Sequence, residues 1–537
     1  MTKEKMTSLV LRSSIIAALG GLLFGFDTAV ISGTTGALKE VFGLTDFWLG
    51  MTVSSALWGT ILGAATIQFP ANKWGRKPTL AFIAILYLIS AIGSAFPRSL
   101  TFWADSAKLD WISFMFFRIL GGIGVGGASV VSPLYTAEIA PPKRRGFLVA
   151  LTQFNIVFGI LVAYVSNYII GSCGLGEDAW RWMFGVEAIP AFVFWVALTA
   201  TPESPRWLIA KERFEEGLAL LKRLVPNDED AQREFKAIQE SLVAERSQGK
   251  ERFFCWRYRK PILLAFAIAA FNQLSGINAV LYYAPTVFQM AGASEETALA
   301  LPMYIGLANF VFTIIALFLI DGFGRKKLMF VGSIGYIVSL AVVGTIFATY
   351  SAQFKASIER IEQEKKQAEI AATEEAKALE TPIAQSASNE SASETSTGEV
   401  AEEVVANEGV ASDAPEIAAA TATEVPKMSV YGILLGLIVF IAGHAFGQGA
   451  CIWVFIGEIF PNAVRAQGQA LGCFTHWIMN AIVSGFFPAT VAIIGPSAAF
   501  FGFCGFMVLQ LLWVLFIMPE TKQIPLEEMQ KKLGIVE

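Results

Sequence analysis

Apolar residues fall along this chain in long blocks, such as Ser13–Gly25, Leu80–Phe96 and Phe500–Met518, separated by short charged stretches. A block of about twenty residues is what a hydrocarbon core roughly 30 Å thick asks of a helix. Marking the blocks by their charged borders predicts twelve membrane-spanning helices. Their limits are 13–33, 48–70, 79–97, 111–138, 147–170, 182–201, 261–290, 302–321, 328–349, 429–459, 467–494 and 498–518. An even number of spans puts both termini on one side, and Lys and Arg in the short loops choose that side. One set of loops carries Lys73, Arg76 and Lys77, then Lys143, Arg144 and Arg145, then Arg325, Lys326 and Lys327. The alternate loops carry only Lys39, then Arg98 and Lys108, then none across 291–301. The basic loops, both termini and the segment 202–260 are therefore expected in the cytoplasm.

Two stretches depart from the pattern. Residues 202–260 mix Phe214, Leu218, Leu220, Leu221 and Leu224 with Glu and Lys, which predicts short amphipathic helices. Residues 351–427 are rich in Ala, Glu, Ser and Thr. A charged helix is expected over about 352–380, and the remainder is too polar and too low in complexity to fold alone. The expected layout is a first half over 1–201, a cytoplasmic helical linker over 202–260 and helices seven to nine over 261–350. A solvated extracytoplasmic insert over 351–427, helices ten to twelve over 428–518 and a cytoplasmic tail over 519–537 follow.

The halves repeat. Gly75-Arg76-Lys77 returns as Gly324-Arg325-Lys326, Glu138-Ile-Ala-Pro with Arg145 as Glu458-Ile-Phe-Pro with Arg465, and Pro202-Glu203 as Pro519-Glu520. The spacing between partners grows by roughly seventy residues after the first pair, which locates the same insert a second time.

Composition agrees with a membrane protein. Of 537 residues 54% are apolar and 16% charged, with a mean hydropathy of +0.55, where soluble chains average about 25% charged. A net charge of −5 offers nothing to nucleic acid. The N-terminal block is read as a span and not a cleaved signal, because no small-residue cleavage site follows and Asp27 interrupts it. Five scattered cysteines form no disulfide or metal pattern. No HExxH, P-loop or Ser/His/Asp cluster marks an enzyme, and Gly122-x-Gly124-x-x-Gly127 follows no strand, so it is not a dinucleotide site. No cofactor or metal is expected.

Charged and amide residues inside apolar spans carry the chemistry. Asp27 lies about six residues from the outer end of the first span and Arg118 about seven from the outer end of the fourth, so at 1.5 Å per residue both sit roughly 10 Å deep and can pair. Gln153, Gln273, Asn278, Asn309 and Asn480 are amides that need partners in lipid. Asn272, Gln273 and Asn278 flank Ser275-Gly276, which suggests a locally broken helix lining a cavity. His444 reads as a packing residue; His476 stands open between packing and contact with a ligand.

Seven motifs occur in order: Gly21-Leu-Leu-Phe-Gly-Phe-Asp27, Arg118-Ile-Leu-Gly-Gly-Ile-Gly-Val-Gly, Pro133-Leu-Tyr-Thr-Ala-Glu-Ile-Ala-Pro, Pro202-Glu-Ser-Pro-Arg-Trp-Leu208, Asn272-Gln-Leu-Ser-Gly-Ile-Asn-Ala-Val-Leu-Tyr-Tyr283, Asp321-Gly-Phe-Gly-Arg-Lys326, and Trp453 followed by Glu458-Ile-Phe-Pro. With these the chain resembles the sugar porter family of the major facilitator superfamily. The resemblance implies an all-α membrane protein with the major facilitator fold, twelve transmembrane helices in two six-helix halves. It implies proton-coupled symport of a monosaccharide by alternating access, in the inner cell membrane, by a chain that works as a monomer in the lipid bilayer. A passive facilitator, or a sugar sensor of the same fold, is the alternative. Asp27 and Arg118 would be the proton switch. Phe24, Tyr282, Tyr283, Trp453 and Trp477 match the family's aromatic walls and gates, and with Gln153, Asn272, Gln273, Asn278, Asn309, His476 and Asn480 make the expected sugar site. Arg76, Glu138, Arg145, Glu187, Arg325, Glu458 and Arg465 are expected to latch the cytoplasmic gate. Asn72, Asn272, Gly449-Ala450 and His476 depart from the family pattern and bear on the latch and on which sugar fits.

Overall fold

A computed structural model describes residues 7–100, 106–141, 144–225, 227–247, 252–361, 363, 367, 370, 426–461, 463–522, 524 and 526–535. Residues Met1–Thr349 and Met428–Glu537 form one compact unit, and Tyr350–Lys427 a second. In the second unit 351–361 are helical, with Phe354 buried and its ring beside Tyr350. The charged helix expected over about 352–380 overlaps these residues in its first part, and the low-complexity stretch 371–425 lies outside the described residues.

Eleven helices of the described chain are long and apolar enough to cross a membrane. They are α1 (Ser8–Val30), α2 (Asp46–Thr66), α3 (Arg76–Ala95), α4 (Ala107–Ile139), α5 (Arg145–Gly171), α6 (Gly176–Leu198), α7 (Trp256–Tyr282), α8 (Glu295–Phe323), α9 (Arg325–Thr349), α10 (Lys427–Ile459) and the 52-residue Arg465–Phe516. The last is two helices. Gly495 has φ 80° and Pro496 follows it, so the chain turns there into α11 (465–494) and α12 (496–516), which brings the number to twelve.

Side chains cap several helix starts. Thr7, Thr45 and Ser294 accept from backbone N–H groups three residues on. The basic-loop ends of α3 and α9 use a different device. Glu203 accepts from the N–H groups of Arg76, Lys77 and Ser204, and Glu520 from those of Arg325, Lys326, Thr521 and Lys522. Each carboxylate caps a helix start whose orphan N–H groups and positive dipole end suit an anion. Gly75 and Gly324 precede the two helices with φ 112° and 90°, and a Cβ on either would press on its carboxylate. The repeat Pro202-Glu203 and Pro519-Glu520 is thus the same cap built twice.

Linker helices at Pro205–Ala210, Phe214–Leu224 and Asp228–Ser247 pack on one another through Ile209, Leu221 and Ala231. They match the amphipathic pattern of 202–260.

The two halves meet at the end opposite the basic loops. Tyr164 donates to the Leu281 carbonyl at 2.7 Å, Thr35 and Thr286 share a hydrogen bond of 3.1 Å, and the ring of Phe47 meets Phe486. Gly50 of α2 lies so close to Gly485 of α11 that a Cβ would collide with the Gly485 carbonyl.

Candidate functional site

Two helices of the second half break where the cavity lies. In α7 Gly276 adopts φ 83°, and the helix restarts at Ile277. In α10 one wide turn occupies Ala445–Gly449. Between these breaks and helices α1, α5, α8 and α11 is a cavity of about 140 Å³. One water takes roughly 10–15 Å³ of such space, so a ligand of about ten non-hydrogen atoms is in range. Polar groups on its wall come from Thr28, Gln153, Asn272, Asn278, Tyr282, Asn309, Thr313, His444 and His476. Phe24 and Trp477 add aromatic faces, their ring centroids 5.6 Å apart across the two halves.

Behind the wall the amides hold each other. Gln273 donates to Asn272 Oδ1 at 2.8 Å, accepts from Asn278 at 2.8 Å, and lies 3.2 Å from His476 Nδ1. Asn480 donates to the Tyr282 hydroxyl at 3.2 Å and accepts from Ser484. A side chain so held is already oriented before a ligand arrives.

A smaller cavity of about 20 Å³ adjoins the first and shares Thr28, Tyr282 and Trp477 with it. It is lined by Asp27 and Arg118, whose Oδ1 and Nη1 are 2.5 Å apart. Both side chains are about 2–3% exposed. The guanidinium also lies over the Phe184 ring, 5.2 Å from its centroid.

Several expected site residues sit elsewhere. Gln273 and Asn480 form a second layer and do not line the cavity. Tyr283 points away from it, donating to the Ser484 carbonyl and packing on Phe487, because the restarted helix turns successive residues to different faces. Trp453 is 37% exposed and reaches the site only through the His476 ring, 5.4 Å away. Glu187 does not belong to the basic-loop gate. It is buried within electrostatic range of Asp27 and Arg118, with Oε1 lacking a hydrogen-bond partner among the described residues. It lies midway along α6 and not at the end that carries the basic loops.

At the gate, Arg76 forms a two-pronged pair with Glu138 at 2.8 Å, and Arg325 pairs with Glu458 at 2.8 Å. Each pair lies within one half. Arg145 is exposed and Arg465 half-buried, and neither has an ion-pair partner among the described residues. Glu203 stands beside the first pair; burial pushes its carboxyl above the ordinary range against the pull of its N–H donors. Sequence reasoning noted Glu203 and Glu520 as a repeat without assigning their capping work. It missed Thr28 and Thr313, whose residue type carries no signal, and His444.

Twelve spans in two halves around a polar cavity at membrane depth define a membrane transporter of the major facilitator type. The family model "Sugar (and other) transporter" matches residues 13–361 and 412–533, and the chain belongs to that family. It is 33% identical to the D-xylose-proton symporter of Escherichia coli (strain K12), over 99% of this chain and 97% of that one. It is 30% identical to the arabinose-proton symporter of Bacillus subtilis (strain 168), over 99% and 96%. The inward-open conformation of the E. coli xylose transporter XylE superposes with a TM-score of 0.73 at 31% identity, covering 97% of this chain and 99% of that one.

Proposed function

We propose that this chain couples uptake of a monosaccharide to proton entry by alternating access. The observation that carries this reading is the buried Asp27–Arg118 pair, one side-chain layer from an amide-lined cavity and sharing Thr28, Tyr282 and Trp477 with it. A sugar presents hydroxyls to amides and an apolar face to rings, and the wall offers both.

The ionised Asp27 holds Arg118. A proton on Asp27 cancels that attraction and frees the guanidinium, with Glu187 at hand as the second acid. Because Tyr282 and Thr28 face both cavities, a shift of α1 against α4 alters the sugar wall. One proton moving down 100 mV releases about 2.3 kcal/mol, which at about 1.36 kcal/mol per tenfold sustains roughly a fifty-fold sugar gradient.

With the basic loops taken as cytoplasmic, contact between the halves at the opposite end supports reading this as an inward-facing state. Arg145 and Arg465 then await partners formed when the inner end closes. The chain works as a monomer with both termini cytoplasmic, in the inner cell membrane.

The test is uptake of a panel of labelled sugars by proteoliposomes with and without an imposed pH gradient. Accumulation that needs the gradient and collapses with an uncoupler is expected. Uptake indifferent to both would make the protein a passive facilitator.

A further inference from the structure

The chain has two histidines, and both line the same cavity. His476 is engaged by Gln273. His444 is held differently, and three features hold it.

The first is the wide turn that follows it at Ala445–Gly449. A turn closed to the fifth residue places residue 449 beneath residue 444, where an ordinary turn would swing it away, and single turns of this kind are frequent at functional sites. Accordingly, His444, Ala445, Gly449 and Ala450 all reach the cavity wall. The second is Gly449. A Cβ there would lie 3.2 Å from His444 Cδ2 and 3.3 Å from Nε2, so the imidazole rests across a position where a side chain would crowd it. The third is Tyr336 of α9, fully buried, whose hydroxyl is 2.5 Å from His444 Nδ1. Phe440 packs edge-on against the Tyr336 ring and fixes it in turn.

A histidine kept only for packing satisfies its polar atoms within the protein. Here Nδ1 is taken by Tyr336, and Nε2 has no protein hydrogen bond among the described residues. In a neutral imidazole one nitrogen donates and the other accepts, and the Tyr336 hydroxyl can serve either, so Nε2 takes whichever role Nδ1 leaves it, and a sugar hydroxyl can match both. We propose that His444 is a specificity-determining contact, whose Nε2 hydrogen-bonds one hydroxyl of the transported sugar, with Tyr336 and Gly449 as its positioning residues. The proposal rests on the sugar-transport reading and adds to it that one hydroxyl is recognised by a fixed imidazole. A site built to bond a hydroxyl rejects an analogue lacking it far more strongly than an apolar wall does.

The test uses the full-length purified protein and equilibrium binding of neutral hexoses, pentoses and polyols. Each monodeoxy analogue of the tightest binder follows. His444→Phe is expected to weaken the parent sugar about tenfold, the worth of one hydrogen bond. At one ring position the deoxy analogue should bind His444→Phe as well as the parent does, while wild type still discriminates there. Tyr336→Phe should reduce discrimination at that same position, and His444→Gln should restore part of it. The proposal is overturned if His444→Phe and Tyr336→Phe reject every deoxy analogue as wild type does. Should His444→Phe fail to fold, Tyr336→Phe, which removes one oxygen, decides alone. Wild type that binds no sugar of the panel removes the transport reading and the proposal together. Wild type that binds, with an unchanged deoxy pattern in the variants, removes the proposal only.

Discussion

Arg118 donates to the Asp27 carboxylate across 2.5 Å in a setting where both side chains are about 2–3% exposed. Glu187 lies within electrostatic range of both. One acid is therefore paired with the guanidinium and a second lies within electrostatic range of it inside the first half, at a depth where lone charges are costly. This arrangement leaves a second acid near the guanidinium once a proton on Asp27 has released it.

Asp27→Asn tests that logic. It should abolish uphill accumulation in proteoliposomes while sugar exchange down a gradient persists. Full accumulation by the variant would end the coupling reading. Removing one partner of a buried pair typically costs about 3–5 kcal/mol, because the other charge is left uncompensated. Glu187 should offset part of that here. Asp27→Asn should then melt modestly below wild type, and Asp27→Asn/Glu187→Gln well below the sum of the two single changes.

The Glu203 cap should be visible in the pH dependence of stability. Burial holds its carboxyl above the ordinary value of 4.5. The folded chain then binds this proton more tightly than the unfolded chain does, so falling pH favours folding through this group. Relative to Glu203→Gln, wild type should gain melting temperature as pH falls from 7 toward 4.5, and gain nothing further below it. Melting curves of the two proteins across that range check the sign.

The fold was legible because a hydrocarbon solvent writes itself into a sequence as block length. The paired positions at Gly75 and Gly324, Glu138 and Glu458, and Glu203 and Glu520 then exposed the two halves. The depth of Asp27 and Arg118 followed from helical rise alone. What stayed hidden is rotation about the helix axes. Tyr282 and Tyr283 are neighbours, yet one lines the cavity and the other backs onto Phe487, and only the restart after Gly276 decides which. His444 reaches the wall through the wide turn after it, which apolar periodicity does not encode. Glu187, expected at the gate, instead lies midway along α6 within electrostatic range of the buried pair.

Gly50 should report on the contact between halves. A side chain there collides with the Gly485 carbonyl. Gly50→Val should push α2 and α11 apart at the end away from the basic loops. Cysteines placed at 47 and 486, whose rings now touch, should label faster in that background than in wild type. Unchanged labelling would mean that the contact yields without opening.

The last prediction concerns the amides that tie α10 to its neighbours. Gln448, in the wide turn, donates to Gln510 of α12, and Gln510 donates to Ser333 of α9 at 2.8 Å. Gln448 and Gln510 are fully buried. Gln448→Leu leaves the Gln510 carbonyl oxygen without its donor, and an orphaned buried polar atom costs about 1–3 kcal/mol. Replacing both partners removes the orphan instead of creating one, and such pairs of changes are often near neutral. Gln448→Leu/Gln510→Leu should therefore melt above Gln448→Leu alone, a coupling that additive packing losses would not give. If the double variant melts lower than the single, the two amides contribute by shape, and the wide turn is held by the close approach of Gly332 to Gly443 and Gly447.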